Sequence, residues 1–139
     1  MTLTADEPHS ERAESYLLSM IFQRDEDLAQ AIELGLRPKH FYFRYNSTLY
    51  DAAIQMFSQN KRIILEEFIE DLLKRSTEED IGGLQHFANV TKEIISSNSV
   101  QYWVEEIVDR YHRRQLLKLT TDSGQTIHDL GVSSQSIAA

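Results

Sequence analysis

The 139-residue chain contains no cysteine. That removes disulfides and thiolate metal sites together, and it fits a reducing compartment. Proline is nearly missing, with 2 residues, and glycine is sparse at 5, so few positions break the backbone. No apolar run approaches the about 18 residues that a membrane-spanning helix requires. The stretch from Met1 to Pro8 carries Asp6 and Glu7 and lacks a basic start followed by an apolar stretch, so it does not read as a secretory signal. A cytoplasmic protein is the expectation. Cations are also in short supply: 14 Lys and Arg against 22 Asp and Glu give a net charge of −8. Nucleic-acid binding depends on neutralising phosphates, and this surface on average repels them. A basic patch remains open only where Arg110, Arg113, Arg114 and Lys118 share one short segment. Protein partners are favoured.

What is present is helical periodicity. With 41% hydrophobic residues the chain is long enough to bury a core without metals or cross-links. Ser10 is a good helix cap, and Ala13, Leu17, Met20 and Ile21 follow at helical spacing, predicting a helix over 10–23. A second, over 26–34, carries Leu28, Ala31 and Ile32 and stops at Gly35. An aromatic group follows, Phe41, Tyr42, Phe43 and Tyr45. Such rings either plug the space between helices or offer a stacking surface for bases. The acidic charge and the single interleaved cation, Arg44, favour the plug.

Leu49, Ala52, Ala53, Met56 and Phe57 mark a helix over 46–60, and Leu65, Phe68, Ile69, Leu72 and Leu73 another. Ile81-Gly82-Gly83 is the strongest local breaker; Leu84 and Phe87 then begin a helix expected to fade near Ser96. Ser97-Asn98-Ser99 caps a longer one through Val100, Trp103, Val104, Ile107, Val108 and Tyr111, with a break or hairpin corner expected near 120–124. Nothing alternates with period two. The reading is all-α: a loose start at 1–9, a compact head of about six helices over 10–96, a longer helix or helical hairpin over 97–130, and a tail or linker at 131–139. The long helix carries apolar residues on more than one side. That surplus predicts self-association, with Trp103, Ile107 and Tyr111 as the candidate interface and their packing on the chain's own head as the competing reading.

The search for chemistry fails. Gly82-Gly83 is followed by Leu84 and Gln85, not by the Lys-Ser or Lys-Thr of a phosphate-cradling loop. The five histidines, 9, 40, 86, 112 and 128, form no i, i+4 pair. Asp109 and His112 stand at i, i+3, but a di-metal helical bundle needs that motif twice together with further inward acids. No serine sits in a strand-to-helix elbow. No catalytic, cofactor or metal residue is assigned, and the chain is not expected to be an enzyme.

The order of landmarks carries a resemblance. Pro8-His9-Ser10, Ala13-Glu14 and Leu17-Leu18 are followed by Phe41-Tyr42, Leu49-Tyr50-Asp51-Ala52, Ile81-Gly82-Gly83-Leu84 with Phe87, and Tyr102, Ile107-Val108 and Arg113-Arg114. Over residues 8–119 this series resembles the N-terminal domain of DnaB-type replicative DNA helicases. Three positions depart from the pattern: Ser19 stands where the family has glycine, Phe43-Arg44 replaces Asp-Pro, and Leu65 replaces a helix-capping Asp. The resemblance implies a head of about six helices followed by a helical hairpin. Hairpins of two subunits pair, three such dimers form a collar above a ring of motor domains, and the collar docks the C-terminal domain of primase. ATP and Mg belong to the motor domain, as does the DNA contact, and no motor motif occurs in these 139 residues. The alternative is a free-standing helical regulator that binds protein or DNA and has no motor.

Overall fold

The computed structural model describes residues 8–92 and 98–130, with side chains described as far as residue 120. The six α-helices among the described residues are α1 (Glu11–Gln23), α2 (Asp25–Glu33), α3 (Arg44–Ser58), α4 (Leu65–Leu73), α5 (Leu84–Val90) and α6 (Val100–Leu130). Short 3₁₀ turns at Pro38–His40 and Glu79–Ile81 precede α3 and α5. Among the described residues there is no strand, and no helix is long and apolar enough to cross a membrane. The all-α expectation holds.

The head is built around α1, which packs on α2, α3, α5 and α6. The Ser10 hydroxyl accepts from the Ala13 N–H at 3.1 Å, and Glu11 and Glu14 lie in the first turn, where carboxylates suit the positive end of the helix. Ala13, Leu17, Leu18, Ile21 and Phe22 are buried, an arc too wide for a surface helix and proper to a central one. At its far end Phe22 meets Phe68 of α4 and Phe87 of α5 with ring centroids 5.1 and 6.1 Å away. Ser19, the departure from the family glycine, is also fully buried and donates its hydroxyl to the Lys92 carbonyl. Gln23 adds a second donor to that carbonyl at 3.2 Å. The substitution is thus answered by a bond that pins the end of α5 to α1.

Two helix stops share one hydrogen-bond pattern. After α2, Leu36 N–H reaches the Ala31 carbonyl and Gly35 N–H the Ile32 carbonyl, with Gly35 at φ +93°; this is the left-handed stop foreseen from the sequence. After α3, Lys61 and Asn60 repeat it on Met56 and Phe57, with Asn60 at φ +58°. Helix α4 begins at Leu65 with Ile64 as an N-cap that makes no side-chain bond, one residue before the position at which the lost Asp was expected, and Glu66 and Glu67 supply the expected first-turn charge.

Several expectations need correction. Helix α5 ends at Val90 rather than near Ser96, with Thr91 as its C-cap: the Thr91 N–H and hydroxyl both reach the Phe87 carbonyl, at 3.1 and 2.8 Å. Helix α6 shows no corner near 120–124 and runs through Thr120, Thr121 and Gly124 to Leu130. One helical glycine costs about 1 kcal/mol, which weakens a helix without breaking it. Pro8 and His9 are held against the head rather than loose. The remainder of the expected loose start at 1–7, the Ser97 cap and the tail at 131–139 lie outside the described residues.

Candidate functional site

The first 12 residues of α6 belong to the head. Ser99 accepts from the Tyr102 N–H at 3.2 Å, and Val100, Trp103, Val104 and Ile107 are all buried. Trp103 packs edge-on against Tyr16 of α1 at 5.1 Å. Two of the three residues chosen as a self-association surface, Trp103 and Ile107, are therefore core residues, 6% and 2% exposed. The third, Tyr111, is half-buried against His40 with ring centroids 4.8 Å apart. The apolar surplus that suggested a partner is met by the chain's own head.

Beyond this segment the helix changes character. Every residue from 115 to 120 is exposed, and Leu116, Leu117 and Leu119 keep 64%, 50% and 51% of their surface open to solvent. Leu116 and Leu119 share one side of the helix, and Leu117 lies about 100° around it. Three leucines clustered within four residues, away from a core that is already filled, form an apolar face of the kind that marks an interaction site. Reading α6 by apolar content alone missed them, because Trp103 and Ile107 carry the stronger signal.

The charges beside this face cancel. Arg110 pairs with Glu106 at 2.9 Å and with Asp109 at 3.2 Å, and Arg113 pairs with Asp109 at 2.9 Å. Arg114 points back into the head, donating to the Pro8 and His40 carbonyls. The segment that looked basic in sequence is therefore largely neutralised and offers phosphate little. Asp109 is engaged by arginines, and among the described residues no three His, Asp or Glu side chains converge as a metal site. A surface depression of about 670 Å³ between α3 and α4 mixes Lys61, Arg62 and Arg75 with Glu67 and Asp71 and has no catalytic arrangement.

The polar centre of the head is a buried chain of hydrogen bonds. Glu14, 2% exposed, accepts from the Tyr42 N–H at 2.7 Å, the Phe43 N–H at 3.4 Å and Asn46 Nδ2 at 2.9 Å. Asn46 Oδ1 in turn faces His86 Nε2 at 2.7 Å. Since the amide nitrogen is spent on Glu14, the neutral imidazole carries its proton on Nε2. One carboxylate thereby joins α1, the aromatic loop, α3 and α5. Burial pushes the Glu14 carboxyl above its usual range, against the hydrogen bonds of Asn46, Tyr42 and Phe43 and the charge of Arg114. Burial likewise holds the His86 imidazole below its usual value. Gly82, at φ +79°, lets the turn pass beneath this group; a Cβ there would meet Tyr45 at 2.9 Å and His86 at 3.0 Å.

The aromatic loop is filled by its own rings. His9 stacks on Tyr42 at 4.2 Å, Phe43 on Tyr45 at 5.2 Å, and Tyr45 meets His86 edge-on at 4.4 Å. Faces stacked on one another are not on offer to bases, which is the plug foreseen above.

The DnaB-like helicase N terminal domain family matches residues 6–109 of this architecture. The chain belongs to that family. Over 113 residues it is 24% identical to the replicative DNA helicase DnaB of Rhodothermus marinus, a match covering 81% of this chain and 12% of that protein. The chain therefore spans a small part of the relative's length. Its fold is that of DnaB N-terminal domains. The crystal structure of the N-terminal domain of DnaB helicase from Mycobacterium tuberculosis superposes with a TM-score of 0.80 at 19% identity, covering 95% of this chain and 92% of that one. The N-terminal domain of the Helicobacter pylori DnaB helicase, described with its interactions with primase, gives 0.71 at 18% identity over 92% and 99% of the two chains. The matched unit is a helicase's N-terminal domain and not its motor, and the DnaB-type head here has no catalytic arrangement among its described residues.

Proposed function

We propose that this DnaB-type N-terminal domain is a collar module of a replicative helicase, self-associating through the free end of α6 and presenting its head to primase in the cytoplasm. The observation that carries the reading is the pair Leu116 and Leu119, 64% and 51% exposed on one side of α6 beyond the residues that pack on the head. Burying one leucine side chain contributes about 1.5–3 kcal/mol, so a few such residues from each of two copies outweigh the loss of freedom only when they pack together. In a two-fold pair the same face serves both copies, and three pairs would complete a six-membered collar. Docking of primase is carried over from the Helicobacter pylori domain and its described interactions. ATP, Mg and DNA contact are assigned to the motor of the full helicase. Sedimentation equilibrium tests the self-association: replacing Leu116 and Leu119 together by Gln should shift a dimer to monomer while the helical spectrum is kept. Calorimetric titration with a primase C-terminal domain tests the docking, and absence of heat or of any shift in sedimentation would count against it.

A further inference from the structure

The point at which α6 leaves the head is marked by one side chain. Arg114, half-buried, donates from Nη1 to the Pro8 carbonyl at 2.7 Å and from Nη2 to the His40 carbonyl at 2.9 Å. Its guanidinium also lies over the rings of Tyr42 and Tyr111, 5.3 and 5.8 Å from their centroids. His40 closes the 3₁₀ turn Pro38–His40, so its carbonyl is one that the turn leaves unbonded. Pro8 belongs to the segment before α1, and the adjacent His9 stacks on Tyr42 with an interplanar angle of 12°. Three separate stretches of chain thus meet at a single guanidinium. The next residue begins the run 115–120 in which every side chain is exposed.

We propose that Arg114 is a positioning residue. By clasping the Pro8 and His40 carbonyls just before the run of exposed residues begins, it sets the direction and rigid length of the projecting arm, and the segment at Pro8 forms the other half of the clasp. Two chemical facts favour this over a general contribution to stability. The guanidinium offers a fixed fork of donors that can hold two carbonyls at once, which an ammonium on a flexible stem does not reproduce. Without the fork, the last α6 side chain packed on the head is Tyr111, half-buried against His40 and one helical turn back, which moves the pivot of the arm by about 4.5 Å at 1.5 Å per residue. An arm that swings from the lower pivot presents its leucines over a wider range of angles.

The consequence for assembly rests on the self-association reading above; the clasp itself is a property of a single chain, and the test separates the two. The chain has no cysteine, so spin labels can be placed cleanly at Glu70→Cys and Lys118→Cys, both exposed. Electron–electron double resonance on the full chain, diluted with unlabelled chain, reads the distance from head to arm. The unaltered protein should give one narrow distance. Arg114→Ala and Arg114→Lys should both broaden it, as should a chain begun at His9, which lacks the Pro8 acceptor. Helical content and Trp103 fluorescence should stay unchanged. Dimer affinity should fall on the order of tenfold in the same variants, equivalent to about 1.4 kcal/mol. A folded Arg114→Ala or Arg114→Lys chain with the original width overturns the proposal. Should Arg114→Ala fail to fold, the lysine variant and the shortened chain decide. A chain that is monomeric at every concentration overturns the self-association reading alone, because the distance width still tests the clasp.

Discussion

Glu14 is the residue on which the head's interior polar order depends. Its two oxygens satisfy two backbone N–H groups and one side-chain amide, and Asn46 passes the order on to His86. Removing the carboxylate by Glu14→Ala leaves those donors buried and unpaired, at about 1–3 kcal/mol for each that finds no replacement. A loss of about 2–4 kcal/mol is the predicted outcome in urea denaturation. Glu14→Gln keeps an acceptor but turns its amide toward Asn46, so a smaller loss is expected. The histidines set the pH response. His86 is held below the usual 6.5 by burial, and His40 by burial and then by Lys39, His112, Arg37 and Arg114. The unfolded chain takes up protons that the native chain refuses, so stability is full above about pH 6.5 and falls on acidification through it. Glu14 acts in the opposite sense: its raised carboxyl makes stability fall as pH climbs above 4.5, the ordinary value for its unfolded state. These two effects oppose each other between pH 7.5 and 5.5, so the histidine part is read by difference: His86→Gln, which can still donate to Asn46, should lose less of its urea midpoint on acidification than the unaltered chain.

Among the elements, α4 shows most directly what a single position controls. Ile64 is its N-cap, extended at φ −112° and 47% exposed, with no side-chain bond to the first turn. Ile64→Asp should stabilise the protein by about 1 kcal/mol, read as a rise in melting temperature, since it adds both a cap bond and a favourable charge. The missing cap was legible in advance to within one residue: the resemblance placed it at Leu65, and the helix has its N-cap at Ile64. So were the start of α1 and the stops of α2 and α3, whose signals (Ser10, Gly35, the polar Asn60-Lys61-Arg62) are local and act through hydrogen bonds to near neighbours; α3 begins at Arg44, two residues before the expected Asn46, without a side-chain cap to announce it. The length of α5 was not legible, because no glycine or proline stands at its end to mark the stop at Val90. The candidate interface residues were only half legible. Periodicity reveals that a side of α6 is apolar, but what covers that side is a tertiary fact. Trp103 and Ile107 meet α1 and the rest of the head, while Leu116 and Leu119, weaker in the pattern, find no such cover.

Taken as a whole, the molecule is a filled helical head with one arm that outruns it. Its core runs from Phe22, Phe68 and Phe87 at one end of α1 to Trp103 and Tyr16 on another side, and this core accounts for the fold shared with DnaB N-terminal domains. The acidic balance and the pairing of Arg110 and Arg113 leave little positive charge on this side of α6, in keeping with the proposed role in protein contact. Sedimentation equilibrium over a wide concentration range, comparing the unaltered chain with Leu116→Gln/Leu119→Gln, tests that account most directly. The account predicts reversible dimers for the unaltered chain and monomers for the variant, at equal helical content. A monomer at every concentration, or a variant that associates as tightly as the original, would contradict it.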